Sequence, residues 1–277
     1  MRNVSGKVAL ITGGAMGMGK LLGAHFVRDG AKLVIWDMNK AELDKTVEEH
    51  GKSGGKVAGY VVDVTNKDLV LEMSKKVESE VGPVDILVNN AGIAAGGDFL
   101  DVPIEKHIKV IDVNVNAVMI CTHAFLGGMI QRDIGHIITL ASAAGLMGVT
   151  GLSSYCASKF AMVGFMETLR LDLRKRSVKG VKTLTVCPSF VSTGMFEGAK
   201  APALTPFLST QTMVNRIYDA FKKDKAIIME PFAVRSIPFL KSISTPGMFA
   251  ATVDLLGVTK AMENYSGREK IAAGKTK

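Results

Sequence analysis

The chain has 277 residues, enough for one large domain that buries a core on both sides of a sheet. Its net charge of +8 is uneven, with seven Lys/Arg against three Asp/Glu in residues 231–277, and no basic run is interleaved with aromatics, which points away from nucleic acid as a partner. Cys121, Cys156 and Cys187 show no C-x-x-C and no Cys/His ligand spacing, so neither a disulfide framework nor a metal site is expected, and a reducing, cytoplasmic setting fits. A strand pattern begins by Lys7 and no stretch offers roughly 18 uninterrupted apolar residues, so neither a signal peptide nor a spanning helix is expected.

Apolar, β-branched runs at 8–11, 33–36, 57–62, 86–88, 136–140, 183–186 and 226–229 predict seven strands. Most are too continuous for a sheet with one wet face and read as parallel strands buried on both faces. Between them, 20–28, 40–50, 67–81, 104–131, 154–176 and 212–222 carry apolar residues at helical spacing. Asn39 and Asn66 stand where helix N-caps belong. The alternation predicts a single doubly wound α/β (Rossmann) domain over 1–230, followed by a C-terminal extension, 231–277, packed on the same domain.

The first strand runs into Thr12-Gly13-Gly14-Ala15-Met16-Gly17-Met18-Gly19, and a helix follows. Glycines also mark plain turns. Between a first strand and a first helix, however, Gly13, Gly17 and Gly19 let the chain reverse, let backbone approach a pyrophosphate and aim a helix N-terminus at it. The second strand ends at Asp37, whose carboxylate can accept from ribose hydroxyls and repel a 2′-phosphate. Neither Met38 nor Met16 is basic, so NAD is expected over NADP.

Tyr155 and Lys159 are four apart in a helical stretch and share a face. A phenol titrates near 10 in water, and a nearby ammonium favours its ionised form. Lys159, with a positive nicotinamide, is expected to pull the Tyr155 hydroxyl down so that it can exchange a proton with an alcohol or ketone. Spacing alone does not identify the pair, since Tyr218 and Lys222 repeat it in what reads as a solvated amphipathic helix. Tyr155 is distinguished by Ser142, which the fifth strand delivers to the sheet end where such folds place ligands, and which can orient a substrate oxygen.

In order, Thr12-Gly-x-x-x-Gly17-x-Gly19, Asp63-Val64, Asn89-Asn90-Ala91-Gly92, Asn114, Ser142, Tyr155-x-x-x-Lys159 and Pro188-x-x-x-x-Thr193 resemble the classical short-chain dehydrogenase/reductase family over roughly residues 5–230. Trp36-Asp37, Tyr155-Cys156-x-Ser158-Lys159-Phe160 and Cys187-Pro-x-Phe-Val-x-Thr-Gly194 are most similar to its hydroxysteroid and retinol dehydrogenase branch. The sequence departs at Ser189, where the family commonly has glycine.

The resemblance implies catalysis by Asn114, Ser142, Tyr155 and Lys159, with Asn114 anchoring a proton-relay water and Lys159 also holding the nicotinamide ribose. It further implies that Asp63 contacts the adenine amine, Asn90 lies near the ribose, and Val191 and Thr193 bind the carboxamide. The remaining cofactor contacts would come from Thr12, Gly13, Ala15, Met16, Gly17, Met18, Gly19, Asp37, Val64, Ala91, Gly92 and Pro188. Met147, Met195 and Phe196 follow the catalytic strand and the nicotinamide segment directly and are expected to face the substrate with Ser142.

The expected activity is NAD-dependent oxidation of an apolar secondary or bulky primary alcohol, or the reverse reduction. The alternatives are a reductase of small diketone or acyl-type carbonyls and a non-catalytic dinucleotide-binding regulator. A homo-dimer or tetramer is implied. Beyond residue 230, Phe232, Ile237-Pro-Phe-Leu240, Met248-Phe249 and Leu255-Leu256 stand among scattered basic residues. The expectation there is a subunit interface and a solvated tail; the alternative is a substrate lid that also touches a membrane surface.

Overall fold

The computed structural model describes residues 3–266. Seven strands form one sheet: β1 (Val8–Thr12), β2 (Lys32–Asp37), β3 (Val57–Val61), β4 (Val84–Asn89), β5 (Gly135–Leu140), β6 (Val181–Pro188) and β7 (Ile227–Glu230). Their order is β3-β2-β1-β4-β5-β6-β7, and every pairing is parallel. Successive strand residues face opposite sides, so β1 sends Ala9 and Ile11 into one core and Val8 and Leu10 into the other. On the first side pack α1 (Gly17–Arg28), α2 (Lys40–Lys52) and α7 (Thr210–Lys222), through Phe26, Leu43 and Phe221. On the second pack α3 (Lys67–Glu80), α5 (Ala117–Arg132) and α6 (Ser153–Lys175), through Val77, Phe125 and Met166. Burial on both faces explains why these strands carry continuous apolar runs.

The helix caps follow local sequence. Asn39 accepts from the Glu42 N–H and Asn66 from the Leu69 N–H. The helix expected over 104–131 is found as Ile104–Arg132, with a π-helical turn at Asp112–Asn116 between α4 (Ile104–Ile111) and α5. The wider turn carries the Asn114 side chain inward, where its Oδ1 accepts from the Ile93 N–H at 2.9 Å and its Nδ2 donates to the Ile93 carbonyl oxygen at 2.9 Å. By length and composition Ile104–Arg132 is apolar enough to cross a membrane, yet Val118, Cys121, Phe125 and Met129 are buried in this molecule. The helical stretch at 212–222 also differs from the solvated face expected of it. Tyr218 is buried and its hydroxyl donates to Asp29 Oδ2 at 2.7 Å, with Lys222 Nζ 3.4 Å from the same oxygen. That second tyrosine–lysine pair is thus bound to a carboxylate on the far side of the sheet ends.

After β7 a 3₁₀ turn (Phe232–Ser236) leads to α8 (Ile237–Ile243) and α9 (Pro246–Leu255). The chain then returns over the C-terminal ends of the strands: Ala203 N–H donates to the Leu256 carbonyl oxygen, Lys200 N–H to that of Ala261, and Ser266 N–H to that of Glu197.

Candidate active site

In open parallel sheets the C-terminal strand ends form a crevice where the order reverses, here between β1 and β4. The glycine turn occupies that point. Gly13 has a φ of +61°, and a Cβ on Gly19 would stand 2.6 Å from the Gly13 carbonyl oxygen and 2.7 Å from Asn90 Nδ2, so only hydrogen fits there. Asn90 ties the turn down by donating to the Thr12 carbonyl oxygen at 3.0 Å and the Gly13 carbonyl oxygen at 2.7 Å. Thr12 Oγ1 accepts from the N–H groups of Asn90 and Ala91 and donates to the Val88 carbonyl oxygen, which joins β1 to β4.

A cleft of about 280 Å³ follows the crevice. Its walls include Gly13, Met16, Gly17, Met18, Asp37, Asp63, Val64, Asn90, Ala91, Gly92 and Thr193. Asp37 is fixed at its rim: Oδ2 accepts from the Ala15 N–H and Oδ1 from the Asn39 N–H, each at 3.0 Å. Asp63 Oδ1 accepts from the N–H and the hydroxyl of Thr65. Despite burial, these bonds and the charge of Lys109 hold Asp63 below the usual carboxylate range. A helix N-terminus, a glycine turn without side chains and carboxylates at the far end fit a dinucleotide. Thr12, Ala15 and Gly19, also expected to touch it, are buried instead and act as supports.

The cleft narrows to about 50 Å³ beside Tyr155, Lys159, Pro188, Val191 and Thr193. It shares Ser142, Tyr155 and Phe196 with an apolar cavity of about 160 Å³. Met147 lines that cavity too, whereas Met195 lines the cleft and its narrow end beside Ser142 and Tyr155. Ser142 accepts from the Ala144 N–H at 3.1 Å and hydrogen-bonds the Tyr155 hydroxyl. Lys159 Nζ donates to the Leu140 carbonyl oxygen at 2.8 Å and lies 5.3 Å from the centre of the Tyr155 ring.

Lys159 by itself does not lower the Tyr155 hydroxyl; the expected depression required Lys159 together with a positive nicotinamide. Burial pushes Tyr155 well above its ordinary value, against the opposing hydrogen bond from Ser142. The same burial lowers Lys159 to about 7.

Several contributors escaped the sequence. Ser158 donates to the Tyr155 carbonyl oxygen at 2.7 Å and accepts from Asn114 Nδ2 at 3.0 Å, coupling the π turn to the catalytic helix. Its back-bond within α6 is an ordinary helical contact, and nothing local announces Asn114 as its partner. Phe190 stands edge-on to Phe196, which stands edge-on to Tyr155. Val253 joins Phe249 and Leu256, for which a substrate lid was the alternative expectation, in closing the cavity from the other side.

Known proteins share this arrangement. The short chain dehydrogenase family matches residues 7–203. Epidermal retinol dehydrogenase 2 of Mus musculus is 41% identical over 272 residues, 97% of this chain and 88% of its own. Estradiol 17-beta-dehydrogenase 11 of Homo sapiens is 38% identical over 252 residues, 91% and 83% of the two chains. Among solved structures, a short chain dehydrogenase/reductase from Burkholderia phymatum in complex with NAD superposes with a TM-score of 0.80 at 28% identity, over 87% of this chain and 95% of that one. Sequence match, fold and the convergence of Ser142, Tyr155 and Lys159 agree, and the chain belongs to the short chain dehydrogenase family.

Proposed function

We propose that the protein oxidises an apolar secondary or bulky primary alcohol with NAD, or reduces the matching carbonyl, with Tyr155 as general acid and base. The observation that carries this reading is the apolar cavity of about 160 Å³ whose polar end is Ser142 and Tyr155. A substrate oxygen placed there is within reach of both hydroxyls, and the hydrocarbon would lie against Leu152, Phe190, Phe196 and Val253.

Bound in the glycine-turn cleft, NAD supplies the hydride acceptor and its reduced form the donor. Gly13 and the N-terminus of α1 would hold its pyrophosphate, Asp37 its adenosine ribose, and Val191, Thr193 and Lys159 the nicotinamide end. Asp37 opposes a 2′-phosphate, which supports NAD over NADP. Ser142 orients the substrate oxygen. Tyr155, kept protonated by burial, gives its proton to that oxygen in reduction and receives one in oxidation. Lys159 holds its place through the Leu140 carbonyl oxygen, and Asn114 is locked to Ile93 and Ser158 beside it. The retinol and estradiol dehydrogenases among the relatives support a lipophilic substrate; the apolar cavity speaks against a small diketone.

Replacing Tyr155 by Phe removes only the hydroxyl and separates an enzyme from a dinucleotide-binding regulator. Turnover of lipophilic alcohols should fall by about 10²–10⁴-fold while NADH binding, read by its fluorescence, persists. Unchanged turnover would refute the assignment.

A further inference from the structure

Tyr155 sits where a helix is weakest. It is the third residue of α6, and Leu152, which stands at the N-cap, has no side-chain group that can cap it. The first turn holds no acidic residue either, so both common ways of steadying a helix N-terminus are missing. Helix ends without such support fray, and a tyrosine on a fraying turn loses the placement of its hydroxyl. Here the hold comes from neighbouring elements.

Ser154 is buried, and its hydroxyl lies 2.8 Å from Nδ1 of His107, a buried residue of α4. His107 Nε2 lies 3.1 Å from the Phe99 carbonyl oxygen. A carbonyl oxygen only accepts, so Nε2 donates to it; in the neutral ring Nδ1 then accepts from the Ser154 hydroxyl. Phe99 also stacks on the imidazole, with ring centres 4.7 Å apart and planes 27° from parallel. Both ring nitrogens are used, and the ring is clamped between the segment that follows β4 and the first turn of α6. The π turn makes a second hold on the same helix, from Asn114 Nδ2 to Ser158 Oγ at 3.0 Å. Tyr155 lies between the two. Enclosed polar pairs of this kind have one good arrangement, and a reacting hydroxyl on the helix they fix inherits it.

We propose that His107 is a positioning residue of the active site. Through the Ser154 hydroxyl it fixes the first turn of α6 and so the aim of the Tyr155 hydroxyl at the substrate oxygen. It lines neither the apolar cavity nor the dinucleotide cleft, so it acts through Ser154 alone. The role rests on Tyr155 acting in turnover as proposed above.

Full-length Ser154→Ala, His107→Leu and the double variant are compared with His107→Gln, whose amide can both accept and donate. Turnover is read with NAD and the same lipophilic alcohols as for Tyr155→Phe. Ser154→Ala and His107→Leu should each lower kcat by about tenfold, and together by about tenfold rather than a hundredfold, because both remove one hold. KM for NAD and the affinity for NADH should stay within about twofold, and His107→Gln should bring kcat to within about threefold of wild type. The Cys156 N–H, which donates to the Leu152 carbonyl oxygen at 2.8 Å, reports the turn without catalysis. Its hydrogen exchange should quicken by about tenfold in Ser154→Ala, with the middle of α6 unchanged.

Unchanged kcat or unchanged Cys156 exchange in Ser154→Ala overturns the proposal. So do losses that multiply to about a hundredfold in the double variant, or NADH affinity that falls as far as kcat. Should His107→Leu not fold, Ser154→Ala and His107→Gln decide the matter by the same split between kcat and KM. If Tyr155→Phe leaves turnover intact, the functional reading fails and the aim assigned to His107 fails with it. If Tyr155→Phe is inactive while Ser154→Ala keeps full kcat, the positioning role alone falls.

Discussion

Lys159 is an amine enclosed by protein, and its titration links the site to stability. Folded, it loses its proton near pH 7; unfolded, it keeps it to about 10.5. Between those values the unfolded chain carries the extra proton, so the contribution of Lys159 to stability is least below pH 7 and rises with pH across the interval. Burial of Tyr155 acts in the opposite sense, but only where an exposed phenol ionises, above pH 10. The urea midpoint of wild type relative to Lys159→Met should therefore climb between pH 7 and 9. A difference that stays level over that range would show that the folded lysine keeps its proton. Asp37 offers a second test. Its two oxygens are held by the Ala15 and Asn39 N–H groups, which places a fixed negative charge at the cleft rim. Asp37→Ala combined with Met38→Arg should shift the NADP-to-NAD ratio of kcat/KM toward NADP by at least about tenfold. A wild-type enzyme that already prefers NADP would remove the basis of that expectation.

Among the elements, those with local signals were legible. Asn66 was placed as a cap because the residue type and the onset of helical periodicity coincide, and its side chain does accept from the Leu69 N–H at 3.1 Å. Asn66→Ala should cost about 1 kcal/mol in denaturant unfolding and leave turnover unaltered. The π turn at Asp112–Asn116 was not legible, because apolar spacing runs through it unbroken and its cause, the bonds of Asn114 to Ile93 and Ser158, lies in other segments. Tyr218 failed for the same reason: its partner Asp29 is 189 residues away, so a buried hydroxyl looked like a solvated one. The motif residues of the candidate site were found, but which of them face the cleft was not, since Thr12 and Gly19 serve the turn from beneath. The burial of Tyr155 and Lys159 was not legible either, because spacing reports proximity and says nothing of dryness.

For the molecule as a whole, the sheet and its two helix layers followed from continuous apolar runs, whereas the region beyond residue 230 had no such guide. Many of its apolar residues, Ile237, Leu240, Phe249 and Leu256 among them, wall a cavity rather than enter either core. A ligand that binds only the folded state adds stability by mass action, about 2.7 kcal/mol at a hundredfold excess over Kd. For a chain of this size that corresponds to a Tm rise of roughly 5 °C with NAD. NADP at the same concentration should give a smaller rise; equal shifts would mean that Asp37 does not discriminate.

The clasp between Thr12 and Asn90 also orders events in time. The two residues are 78 positions apart, so the glycine turn leaves the ribosome long before the strand that holds it is made. Contacts that close such long loops form late in folding. The N-terminal segment by itself therefore has the glycines of a phosphate cradle without the Asn90 side chain that ties them down.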